Sequence, residues 1–171
     1  HFNLPNTRRS KIIEPIHRFL STFIPNKIIF CSQISLQKHC LGGFPKNKSR
    51  HVPNGYEPRT YRPSSETNIK FVESYIQVDA TVKIGMVARY DVQKDHKTFF
   101  EALQISRQKG KNFSVFLAGS GINSSNQELM DEIRRFGVED NVKLLGERND
   151  IPDLMAFIDL HVLSSTSEGF P

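Results

Sequence analysis

Apolar positions from residue 82 onward follow two rhythms in turn: short continuous runs, and stripes at three- and four-residue spacing. Val82-Lys83-Ile84-Gly85-Met86-Val87-Ala88 is the first run, a strand expected to end at Arg89. A helix stripe of Phe99, Ala102, Leu103 and Ser106 follows, with Thr98 as its cap, Glu101 three residues on and Gly110 as its stop. Phe113-Ser114-Val115-Phe116-Leu117-Ala118 predicts the next strand, closed by the turn Gly119-Ser120-Gly121. Ser125 and Glu128 read as a capping box for a helix carrying Leu129, Ile133 and Phe136. Residues 141–146 return to extended chain, Asp150, Pro152 and Asp153 suit N-cap, N1 and N2 of a short helix, and 159–163 make a fourth strand.

Four strands separated by three helices predict parallel crossovers and an open α/β sheet. Such a sheet takes its ligand beyond the carboxyl ends of its strands. Arg89, Gly119 to Gly121, Gly146 to Arg148 and Ser164 to Glu168 all fall at those ends.

The first half is less regular. Ile12, Ile16, Phe19, Leu20 and Phe23 give an amphipathic helix pattern over 11–24, interrupted near Pro15. Lys11, His17 and Arg18 lie on its other face, so membrane contact fits, but packing within a larger domain is the preferred reading. Ile28-Ile29-Phe30-Cys31 reads as a short buried strand, followed by a helix from Ser32 to about His39 that Gly42-Gly43 breaks. Asn54-Gly55 marks a turn with Gly55 free to take positive φ. The Pro- and Ser-rich stretch after it looks more like a domain boundary than a hairpin. Residues 69–80 fit a short helix or a strand equally.

Charge is divided unevenly along the chain. Residues 1–60 hold ten Lys/Arg against two acids and residues 61–171 hold thirteen against sixteen, so the first third is near +8 and the rest near −3. A basic first segment suits an anionic partner or a solvated surface. The basic residues are not interleaved with an aromatic or helical recognition motif, which argues against nucleic acid. Cys31 and Cys40 are too few for a disulfide framework and lack zinc spacing, so a reducing compartment is the simpler expectation. No apolar run approaches the ~20 residues that cross a bilayer. The opening His1-Phe2-Asn3 shows neither an initiator methionine nor a signal-peptide pattern, and both ends read as cut ends of a longer protein.

The candidate chemistry is that of a phosphate-linked polar ligand. Arg89 supplies a planar fork and Lys94 a compact charge, and a loop between them can turn both toward one diphosphate, whose charge grows as a bond to it breaks. Gly119 and Gly121 allow close approach of backbone to ligand, although neither a Walker sequence nor a full dinucleotide fingerprint is present. Gly146-Glu147-Arg148 fits the lining of a nucleobase or ribose pocket, and fits an exposed loop almost as well. In Ser164-Ser165-Thr166-Ser167-Glu168-Gly169-Phe170-Pro171 the hydroxyls can meet phosphate or sugar oxygens. Glu168 can accept from sugar hydroxyls, and Gly169 leaves room for backbone donors. His96 is a candidate phosphate contact, whereas His161 reads as a packed strand histidine. No Asp-x-Asp pattern is present, so no metal site is expected.

These segments together resemble the retaining bacterial glycosyltransferases of family four, the "glycosyl transferases group 1", with two facing Rossmann-like domains in the GT-B fold. Val52-Pro53-Asn54-Gly55-Tyr56-Glu57 looks like the segment leaving the acceptor domain. Gly85-Met86-Val87-Ala88-Arg89-Tyr90 with Lys94-Asp95-His96 looks like the donor-phosphate loop, and Ser164 to Pro171 like the start of the two-glutamate donor motif. The resemblance implies an α/β GT-B fragment: residues 1–62 ending the acceptor domain with its linker, and 63–171 forming the donor domain, both incomplete. It implies that Arg89 and Lys94 bind the donor diphosphate and that Glu168 holds the transferred sugar. Gly119, Gly121, Arg148 and the amides of Gly169 and Phe170 would border the nucleotide sugar. The motif's second glutamate would fall eight positions after Glu168, past the last residue.

By that resemblance the complete enzyme passes a sugar from a nucleotide-diphosphate donor to an acceptor hydroxyl with retention, in cell-surface polysaccharide or lipopolysaccharide assembly. It would need no tightly bound cofactor. Its acceptor would be a glycan or lipid-linked glycan, met in the cytoplasm or at the inner face of an anionic membrane. A sugar-nucleotide epimerase of related fold, or an inactive fragment serving only as a binding module, are the alternatives.

Overall fold

The computed structural model describes residues 8–58, 82–166 and 168 of the 171-residue chain. The ambiguous segment 69–80 falls outside them, and so do Gly169 and Phe170. The described residues up to Tyr56, together with Glu168, form one compact unit, and those from Glu57 to Thr166 form another.

In the first unit, helix α1 (Arg8–Phe23) runs through Pro15 without a break. Proline removes one main-chain donor, but the remaining turns carry the helix on, so the interruption expected there does not occur. Strand β1 (Ile28–Phe30) pairs in parallel with β2 (Ser49–His51), joined by α2 (Gln33–Leu41). Ser32 caps α2 by accepting from the Ser35 amide at 3.4 Å. β1 is not the buried strand its composition suggests: Ile29 is 57% exposed, because a sheet of two strands leaves part of its surface uncovered. β2 has no apolar signal at all and is fixed by main-chain pairing with β1. Gly55 is not among the described residues with positive φ.

The second unit holds a four-stranded parallel sheet in the order β5-β4-β3-β6, built from β3 (Val82–Val87), β4 (Phe113–Ala118), β5 (Val142–Gly146) and β6 (Leu160–His161). Helices α3 (His96–Gln108), α4 (Gln127–Phe136) and α5 (Ile151–Phe157) connect them. All six residues of β4 are buried, as a central strand covered on both faces requires. Their side chains alternate. Val115 and Leu117 join Phe99, Phe100, Leu103, Leu129 and Ile133 in one core, while Phe116 and Ala118 join Leu154 in a second. On α3 the buried positions are His96, Phe99, Phe100 and Leu103, and Ala102 faces solvent.

Helix starts depart from the sequence pattern. Asp95, not Thr98, caps α3: its carboxylate accepts from the Thr98 amide at 3.1 Å and the Thr98 hydroxyl at 2.8 Å. Asn126, not Ser125, caps α4, accepting from the Leu129 amide at 3.3 Å and donating through Nδ2 to Gly121 O at 2.8 Å. His161 is exposed rather than packed, since β6 is a two-residue strand beside β3 at the end of the sheet.

Candidate functional site

Successive strands build one rim through main-chain hydrogen bonds. Beyond β3, Ala88 N donates to Ala118 O at 2.9 Å and Tyr90 N to Ser120 O at 2.8 Å, and Gly119 N donates to Gly146 O at 2.8 Å. Such close crossing demands glycine at 119, where φ is 145° and a Cβ would sit 2.2 Å from Ala88 O. Gly121, at φ 76°, instead makes room for Tyr90: a Cβ there would lie 3.2 Å from that side chain.

On this rim Arg89, Gly119, Ser120, Glu147, Arg148 and Asn149 border one open cavity of about 350 Å³. Arg89 and Arg148 thus border one cleft that sequence separation hides. Each is oriented by its own carboxylate. Arg89 is exposed, and its Nε lies 3.4 Å from Asp91 Oδ2. The Gln93 amide, aided by Arg89, holds the Asp91 carboxyl below the usual range. Arg148 binds Asp150 in bidentate fashion, with Nε 2.6 Å from Oδ1 and the second contact through its terminal nitrogen. That bond depresses the Asp150 pKa, and Asp150 consequently makes no side-chain cap on α5.

Lys94 ends the 3-10 turn Val92–Lys94, is partly buried and does not border that cavity. Glu168 is partly buried and is grouped with the first unit. The segment leaving β6 holds what sequence reasoning missed. The hydroxyls of Ser164 and Thr166, read from sequence as ligand contacts, both donate to main-chain carbonyls of residues 93–95. Ser165 Oγ is buried with no partner among the described residues. Only the serine-threonine run hinted at this, because the acceptors lie about seventy residues away.

A second cavity, of about 380 Å³, is bordered by Tyr90, Asp91, His96, Glu128 and Glu132. Tyr90 donates to Glu132 Oε2 at 3.2 Å, and burial together with the two glutamates pushes the phenol pKa upward. His96 is 3% exposed, packed against the Tyr90 and Phe100 rings, and neither ring nitrogen has a partner among the described residues. Burial lowers its pKa to about 4, so it is neutral at pH 7 in the unliganded chain. Because the folded-state pKa lies below the ordinary value, the unfolded chain takes up the proton first. His96 should therefore cost stability progressively as pH falls from about 6.5 toward 4, and nothing above 6.5. His96→Phe is expected to flatten the pH dependence of the urea midpoint in that window. Identical slopes for both proteins would refute the assignment.

Among the described residues no group of three His, Cys, Asp or Glu could hold a metal ion, and no helix is long and apolar enough to cross a membrane. The order β5-β4-β3-β6 reverses between β3 and β6, the place where open α/β sheets bind ligands, and Arg89 and Ser164 follow those two strands.

Known proteins share this arrangement. HepE from Anabaena, solved in complex with UDP-glucose, superposes with a TM-score of 0.80 at 26% identity, covering 94% of this chain and 44% of HepE. EpsF of Bacillus subtilis is 28% identical over 121 residues, 70% of this chain and 31% of EpsF. Mannosylfructose-phosphate synthase of Agrobacterium fabrum is 25% identical over 134 residues, 73% of this chain and 29% of the synthase. The chain thus spans about a third of the length of these curated relatives. The family model "Glycosyl transferases group 1" matches residues 71–171, which takes in the whole rim from Arg89 to Ser164. With more than half of its length matched by that model and a parallel Rossmann-like sheet of the GT-B kind, the chain belongs to the group 1 glycosyltransferases.

Proposed function

We propose that this chain is the donor-binding part of a retaining, family-four glycosyltransferase that moves a sugar from a nucleotide diphosphate to an acceptor hydroxyl. The observation that carries the reading is the pair Arg89 and Arg148 around one cavity, beside Gly119, on the ligand-binding edge of the sheet. A planar guanidinium meets a phosphate through two parallel donors, and two of them match the two phosphates of a nucleoside diphosphate. The charge of the departing diphosphate increases as the glycosidic bond breaks, so cations held in place beforehand lower the barrier. Lys94 adds a third charge from the loop after Arg89, and Glu168 accepts hydroxyls of the transferred sugar. Gly121, Gly169 and Phe170 complete the border of the nucleotide sugar. Residues 1–62 contribute the end of the acceptor domain and the linker, and 63–171 the donor domain.

HepE binds UDP-glucose, which makes that donor the first to try. The acceptor is a glycan or lipid-linked glycan of the cell surface. The basic first third suits approach to an anionic lipid face from the cytoplasm. Calorimetric titration of the chain with UDP-, GDP- and ADP-sugars tests the reading. One nucleotide class should bind saturably, and Arg89→Ala should weaken it about tenfold or more. A folded chain, and a full-length protein, that bind none of them would overturn it.

A further inference from the structure

The donor reading leaves unexplained why the segment leaving β6 spends its hydroxyls on main-chain carbonyls. Thr166 N–H donates to Gln93 O at 2.9 Å, with Thr166 Oγ1 at 3.3 Å from the same oxygen. Ser164 Oγ–H is shared between Lys94 O at 3.1 Å and Asp95 O at 2.8 Å. Three consecutive carbonyls, at Lys94 and on either side of it, thus accept from one segment.

The turn they belong to is unusual in itself. Asp95 has φ 51° and is the one non-glycine residue with positive φ among the described residues. Its carboxylate is already committed to capping α3. The turn is held locally by Gln93 N donating to Asp91 Oδ1 at 2.9 Å and Lys94 N donating to Asp91 O at 2.9 Å, and Ser164 and Thr166 add the long-range bonds that tie the Lys94 main chain to the segment after β6. β3 and β6 are adjacent strands whose connections diverge, so hydrogen bonds, not short covalent links, must register the two loops that follow them.

We propose that Ser164, supported by Thr166, is a positioning residue for Lys94. Its hydroxyl fixes the Lys94 main chain, so that the flexible lysine stem starts from one point relative to the donor phosphates. The proposal rests on Lys94 acting at the donor diphosphate. Misplacing a group by about 1 Å costs on the order of 100-fold in rate, so a single hydroxyl at this point carries a measurable share of catalysis.

The test is a double-mutant cycle in the full-length enzyme, with donor KM, acceptor KM and kcat measured for each variant. Ser164→Ala should lower kcat/KM for the donor roughly tenfold, within that positional limit, and leave acceptor KM unchanged. Ser164→Thr, which keeps the hydroxyl, should restore most of it. In a Lys94→Ala background, Ser164→Ala should cost less than about twofold, because its route of action is gone. Should Ser164→Ala fold poorly, the nearly isosteric Ser164→Cys takes its place in the cycle. Full additivity of the two substitutions, or a harmless Ser164→Ala beside a damaging Lys94→Ala, would overturn the positioning role and leave the donor site intact. A harmless Lys94→Ala would instead remove Lys94 from the donor site, and the positioning role with it.

Discussion

Replacing Arg89 by alanine in the full-length enzyme is expected to lower kcat/KM for the sugar donor about 100- to 1,000-fold, the usual cost of losing one prearranged charge stabiliser. The side chain is 57% exposed and its contact with Asp91 is a surface ion pair, so its removal should leave stability within about 0.5 kcal/mol of the original. The loss would then belong to chemistry and not to folding. Arg89→Lys should recover only part of it, because an ammonium keeps the charge but not the fork that engages two phosphate oxygens. A threefold loss or less in Arg89→Ala, measured by steady-state kinetics on protein with an unchanged melting curve, would take Arg89 out of the mechanism.

Gly119→Ala should act through the backbone instead. A Cβ there would lie 2.2 Å from Ala88 O and 2.5 Å from the Ala88 carbonyl carbon, main-chain atoms that cannot swing aside, at a φ of 145°. Positive φ costs an L-residue roughly 1–2 kcal/mol and forced overpacking another 1–3, so a loss of about 2–5 kcal/mol is expected. Gly110 provides the control. Its φ is 71°, but a Cβ there meets nothing within 4 Å, so Gly110→Ala should cost only the conformational part, roughly 1–2 kcal/mol. Urea midpoints for the two variants compare them directly, and equal losses would show that the crossing at Ala88 is not the constraint. Gly119→Ala should also abolish nucleotide binding, since the same contact aligns the rim.

The sheet was legible because its information is local. β4 is a continuous apolar run bounded by polar residues and glycine, and α4 carries its stripe in plain periodicity. Misread features depend on distant partners. Asp95 caps α3 from a left-handed conformation, with its carbonyl accepting from Ser164 far along the chain, and β2 exists because β1 offers it main-chain partners. His161 carries a strand's pattern, yet its strand is too short to bury it. At the candidate site, strand ends could be counted from sequence, which put Arg89, Gly119 and Arg148 on one edge. The orientation of each arginine by Asp91 and Asp150 could not, because neither acid stood out as more than a turn or cap residue. Lys94 ends the 3-10 turn after Arg89 and is not among the residues bordering the cavity that Arg89 lines.

Main-chain groups alone knit the ends of β3, β4 and β5 together, through Ala88, Tyr90 and Gly119 donating to Ala118, Ser120 and Gly146. Ser120, Glu147 and Asn149 border the cavity, and their side chains take no part in those bonds. Substitutions at these three positions can therefore alter the lining of the cavity without removing any of the bonds that align the strand ends.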